Sequence, residues 1–241
     1  MSSTSTPQHH LVVESANWSE VIRVRHQGAA WDSLRTRTGL PALGVAILSD
    51  SPMAVQTLLE NGAPVEPQLL FSGDVWSAVW AAITQENADI LNLVLQAGAS
   101  PDEPHPITGM APIDAVAESA QAAATIVLCN HGARPNTQHT PSALWRWINH
   151  LAPYLDEQGL WRFPDARPVL CLLNAGARVV SLKVHQLGVD SLDMARRKWL
   201  GKPLAERDHQ HMKLALAALE QAALLELAES KPATGDTPTR M

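Results

Sequence analysis

The sequence predicts an all-α solenoid of stacked antiparallel helix pairs joined by short finger-like connections. Three observations predict it. A Gly-Ala pair recurs at Gly28-Ala29, Gly62-Ala63, Gly98-Ala99, Gly132-Ala133 and Gly176-Ala177, spaced by 34, 36, 34 and 44 residues. Apolar residues stand at helical spacing before the glycines, and turn formers follow them. A fixed period of this length marks a repeat architecture, in which each unit buries its apolar face only against its neighbours.

The second helix of each unit is the clearest. Counting back from the glycine, the fourth position reads Val24, Leu58, Val94, Leu128 and Leu172, and the seventh reads Val21, Val55, Leu91, Thr125 and Val169. The third reads Arg25, Leu59, Leu95, Cys129 and Leu173. Every copy after the first therefore presents a stripe at i, i+3 and i+4, one face of a helix. The glycine ends that helix, because the position after the C-cap takes a left-handed backbone that glycine adopts without a Cβ penalty. Asp32, Glu66, Asp102 and Asn136 mark the turns that follow.

The first helix of each unit is read from Leu43 and Ala46, Val79 and Ala82, and Ile113 and Val116, small or slim residues sixteen positions before the middle glycines and their partners three earlier. In the first unit only a second helix, around Trp18 to Gln27, is recognisable, which predicts a partial cap. The last unit opens at Asp190 to Ala195 and continues in a long helix from about Glu206 to Glu229, where a polar outer face is expected of a terminal repeat. Residues 1–10 and 230–241 are read as disordered tails, leaving 11–229 for the solenoid. The fourth full unit departs twice. Trp147 stands where close helix packing wants alanine, and about 13 residues at 150–163, with Tyr154 and Trp161, are inserted between its two helices. They are expected either to extend the first helix or to form a second contact element.

These units resemble the ankyrin repeat. Leu58-Leu59-Glu60-Asn61-Gly62-Ala63 and Val94-Leu95-Gln96-Ala97-Gly98-Ala99 match the family's L-L-x-x-G-A motif closely. Ser77-Ala78-Val79-Trp80-Ala81-Ala82 and Ala111-Pro112-Ile113-Asp114-Ala115-Val116 match its T-P-L-H-x-A opening loosely. The resemblance covers roughly residues 16 to 229. It implies about five units with end caps, no enzymatic activity, and reversible binding of another protein through the inner helices and the fingers.

Composition narrows the function further. The chain carries 18 Lys and Arg against 24 Asp and Glu, a net charge of −6, which disfavours nucleic acid and anionic membranes as partners. No secretory leader and no apolar run long enough to span a bilayer are recognised, so a cytoplasmic monomer is expected. Cys129 and Cys171 read as buried thiols. No metal or cofactor is expected: His209 and His211 lie two apart on a helix and point to different sides, and no phosphate loop or nucleophile elbow occurs.

The strongest signal is electrostatic. Between Arg37 and Arg134 lie 96 residues without a Lys or Arg, among them ten acids: Asp50, Glu60, Glu66, Asp74, Glu86, Asp89, Asp102, Glu103, Asp114 and Glu118. Glu66, Asp74, Asp102 and Glu103 fall in finger connections, and Trp76, Trp80 and Trp145 open inner helices. Together these seven form the candidate surface for a basic protein partner, in an inhibitor, immunity-type or adaptor role. Two alternatives are weighed beside it. One is an effector or adaptor acting in another cell; the other is a hydrolase whose site lies in a deep pocket beside the 150–163 insertion.

Overall fold

The computed structural model describes residues 9–65, 69–71, 74–138, 141–179 and 191–229, with only the main chain described for 69–71 and 74–76. They divide into two compact units, residues 1–133 and 134–241.

The first unit is built from four helix pairs: α1 (His9–Glu14) with α2 (Trp18–His26), α3 (Ala42–Leu48) with α4 (Pro52–Glu60), α5 (Ala78–Thr84) with α6 (Ala88–Gln96), and α7 (Pro112–Glu118) with α8 (Ala122–Asn130). Helices α1, α3, α5 and α7 stack in one layer and α2, α4, α6 and α8 in a second. The expected stripe is the core between the layers. Val21, Val55, Leu58, Leu91, Val94 and Leu128 from the second helices meet Ala46, Val79, Ala82 and Val116 from the first, all fully buried. Each such branched side chain contributes roughly 1.5–3 kcal/mol of transfer free energy. The first pair is complete rather than a lone helix: α1 is only six residues long, too short for a periodicity, yet it buries Val13.

Two recurring devices shape the ends of the pairs. At the finger end Gly62 and Gly98 take φ of +80° and +100°, and their alanines donate back to Leu58 O and Val94 O, closing the helix as the repeated glycine predicts. At the other end the turn inside each pair holds a non-glycine residue in the left-handed region: Ala16, Asp50, Glu86 and Ala120, with φ between 51° and 56°, each twelve residues before its glycine. The next residue starts the second helix. Asn17, Ser51 and Asn87 cap it through their side chains, which accept from Glu20 N, Ala54 N and Ile90 N, while Gln121 instead donates to Ile83 O of the preceding pair at 3.3 Å.

The fingers are hairpin-like. An isolated bridge joins Arg35 to Pro41, and β1 (Leu69–Phe71) pairs antiparallel with β2 (Asp74–Trp76) with Leu69 opposite Trp76. A 3-10 turn, Trp31–Ser33, precedes the first of them.

The second unit contains α9 (Ala143–His150), β3 (Tyr154–Leu155), β4 (Trp161–Arg162), α10 (Arg167–Asn174), α11 (Ser191–Trp199) and α12 (Glu206–Glu229). Here α9 packs on α11 and α10 on α12, continuing the two-layer rule. Trp147 is 3% exposed in the centre of this packing, edge-on to His150. The insertion is not a helix extension. It folds as the antiparallel hairpin β3–β4, with Tyr154 opposite Arg162, because Asp156 accepts from Gln158 N and Leu160 N and Gly159 turns the chain at φ +73°. That hairpin is tied to the end of the unit: Trp161 bridges Leu204 and lies under Lys202 at 4.5 Å, and Phe163 packs edge-on against the fully buried Trp199 at 5.1 Å.

Candidate functional site

The finger that follows α6 is the best-defined part of the predicted surface. Ser77 caps α5, its hydroxyl accepting from Trp80 N. This sets Trp80 one turn into the helix, where its ring is 5% exposed. The indole Nε1 donates to Glu103 O at 2.9 Å, and the ring meets His105 edge-on at 4.8 Å. His105 in turn organises the loop. Its amide donates to Met110 O at 2.8 Å, it accepts Gly109 N at its carbonyl, and its Nδ1 accepts the amides of Ile107 and Thr108. Trp80 thus braces the finger instead of offering an exposed aromatic anchor, a correction imposed by burial. Glu103 is left exposed at the tip and Asp102 half-buried beside it, its amide received by Ser100 Oγ.

The remaining predicted residues are distributed. Asp74 and Trp76 belong to β2, at the far strand of the preceding finger, and Glu66 lies outside the described residues. Trp145 belongs to the second unit. It is half-buried at the start of α9, which Ser142 caps, and its indole nitrogen is buried with no hydrogen-bond partner among the described residues.

The acidic span itself is less one-sided than the finger set suggests. Asp50 and Glu86 sit in the left-handed turns at the opposite end of the pairs, with Asp89 and Glu118 also exposed there. Asp50 accepts a hydrogen bond from Asn87 Nδ2 at 2.6 Å, linking successive pairs. Asp114 is fully buried. Among the described acids of the span, Glu60, Asp74, Asp102 and Glu103 remain toward the finger end.

Solved structures share this architecture. An ankyrin repeat domain from Acinetobacter baumannii is similar at 21% identity with a TM-score of 0.59, covering 88% of this chain and 97% of that one. The ankyrin repeat domain of Bcl-3 gives 22% identity and 0.56, covering 88% and 81%. The protein has the ankyrin-repeat fold. A structure of a predatory endopeptidase from Bdellovibrio bacteriovorus in complex with an immunity protein is also similar, at 19% identity and a TM-score of 0.51, covering 89% and 98%. Neither a protein-family model nor a curated protein matches the sequence.

In ankyrin terms, α5 is an inner helix and residues 100–110 form a finger, so Trp80 couples one repeat's inner helix to the next finger. Beside the 150–163 insertion an open cavity of about 650 Å³ is lined by Arg162, Phe163, Asp165, Arg167, Asp208 and His211 among others. Its carboxylates are already engaged by arginines: Asp165 accepts from Arg167 at 2.6 Å, and Asp208 lies 3.7 Å from Arg162, whose Nε donates to Asp156 at 2.7 Å. That hydrogen bond from Arg162, helped by the amide of Leu160, holds the Asp156 carboxyl below the usual aspartate range. Asp156 itself lines a separate recess with Tyr154, Leu155, Glu157 and Gln158. Among the described residues no group of three His, Cys, Asp or Glu could hold a metal, and no helix is long and apolar enough to cross a membrane.

Proposed function

We propose that this ankyrin-fold chain is a non-catalytic protein-binding module whose first unit receives a basic protein at its acidic finger end, as a cytoplasmic inhibitor, immunity-type protein or adaptor. The supporting observation is the pairing of a 96-residue span free of Lys and Arg with a finger whose exposed tip residue, Glu103, is fixed through its main-chain carbonyl, which accepts from the Trp80 indole. Asp102, Glu103, Glu66 and Asp74 supply the negative field; Trp80 keeps the tip in place. Such a field raises the on-rate for a basic partner and excludes acidic competitors more than it raises affinity. A likeness to a structure in which an endopeptidase is complexed with an immunity protein is consistent with an inhibitory pairing.

The test is affinity capture from cell extract, with the bound protein identified and its association rate measured. Changing Asp102 and Glu103 to Lys is expected to slow association by about tenfold or more and to steepen the loss at low salt. Changing Asp89 and Glu118, at the opposite end of the pairs, is expected to have a smaller effect. Unchanged association after the finger substitutions refutes this surface.

A further inference from the structure

The terminal helix departs from the polar outer face expected of a capping repeat. The buried side of α12 consists of Met212, Ala215, Leu216, Leu219 and Ala223. On the other side Leu214, Leu224 and Leu225 are 63%, 68% and 58% exposed, and Ala217, Gln221 and Ala228 are exposed with them. At 3.6 residues per turn these six fall within an arc of about 100°. Leu214, Gln221 and Ala228 are seven apart, with Ala218 and Leu225 between them, the spacing of a coiled-coil seam. Leu214, at one end of the stripe, also borders the open cavity beside Arg162, Ala166 and Leu170, while Ala217, Gln221, Leu224, Leu225 and Ala228 are exposed along the rest of it, a stripe of about 21 Å in all.

We propose that this stripe pairs with the α12 of a second copy of the chain, antiparallel about a two-fold axis through Gln221. The stripe is complementary to itself in that arrangement and in no parallel one. An axis at Gln221 sets Leu214 against the partner's Ala228, Ala217 against the partner's Leu225, and Ala218 against the partner's Leu224. Each layer on either side of the central Gln221 pair then places a leucine opposite an alanine, which lets the two helices approach to the short end of the interaxial range, about 8 Å. The same axis places Lys213 opposite the partner's Glu229. Both are exposed, and within the described residues neither side chain has a hydrogen bond or ion pair. A parallel pairing in register sets Lys213 against Lys213 and leucine against leucine, which costs repulsion and forfeits the close fit. A contact of this kind is isologous and closes at two copies. The chain is thus a dimer through α12 of its second unit, in place of the monomer expected from sequence.

Sedimentation velocity of the full chain across the micromolar range tests it without any other partner. The wild type is expected to dimerise, and Leu225→Glu, at an exposed position that leaves folding intact by circular dichroism, to weaken the dimer by about 100-fold or more. Lys213→Glu is expected to weaken it and the exchange Lys213→Glu with Glu229→Lys to restore it. Oxidised Gln221→Cys is expected to cross-link into a covalent dimer, whereas Lys213→Cys, whose copies lie about 24 Å apart along the paired helices, is not. The native thiols give little background, since Cys129 and Cys171 are half-buried and burial pushes the Cys171 thiol up. A chain that stays monomeric, a dimer indifferent to Leu225→Glu, or cross-linking at 213 instead of 221 overturns the proposal. So does a monomer that dimerises only once residues 230–241 are removed, because the chain's own end then covers the face.

Discussion

Trp80 shows how one side chain settles the difference between a contact and a support. Its ring is inside, and its single donor is committed to Glu103 O, so its effect on binding passes through the finger. Trp80→Phe keeps the bulk and removes the donor, and is expected to cost about 1 kcal/mol of stability while broadening the amide signals of residues 103–110. The left-handed residues give a second prediction of opposite sign. Glu86 holds φ 54° with no Cβ-free backbone to ease it, at a cost of roughly 1–2 kcal/mol. Glu86→Gly is expected to raise stability by about 0.5–1 kcal/mol after the extra entropy of the unfolded glycine is counted, read as a higher melting temperature. Asp50→Gly gains less, because it also loses the bond from Asn87.

At the level of elements, the same Asn87 caps α6 and reaches back to the preceding pair, so Asn87→Ala is expected to cost about 1–2 kcal/mol, more than the loss of a helix cap alone. The β3–β4 hairpin carries a pH dependence. Asp156 titrates below its unfolded value in the folded hairpin, so its contribution is fully present above about pH 4 and is lost as pH falls through the depressed value. Asp156→Asn is expected to flatten that acid limb, followed by the fluorescence of the tryptophans. Which elements were legible follows from the same physics. The second helices were plain because burial of one face imposes a period on Val55, Leu58, Leu91 and Val94. Helix α1 was hidden because six residues hold too little of any period. The turn residues Ala16, Asp50, Glu86 and Ala120 were hidden because a strained position filled by ordinary side chains leaves no compositional mark. The hairpin was missed because two strands of two residues are set by Asp156 and Gly159 acting across the turn, not by alternation.

For the molecule as a whole, the boundary between the units falls at Ala133, one residue before the first basic side chain after Arg37. The first unit holds 4 Arg against 13 Asp and Glu; the second holds 14 basic against 11 acidic side chains. The acidic bias was legible from sequence, but its distribution over both ends of the helix pairs was not, since that depends on which residues occupy turns and which occupy fingers. Capture on the first unit is accordingly expected to weaken steadily with added salt, while α12 pairing, resting on leucines, is expected to be far less sensitive.

That boundary also decides which reagents can see a bound protein. No lysine precedes Lys183, so the first unit has no ε-amine side chain for acylation, for amine-to-amine bridging or for isopeptide tagging. A neighbour resting on it is fixed instead by carbodiimide coupling, which joins the neighbour's own amines to Glu103 and the carboxylates around it.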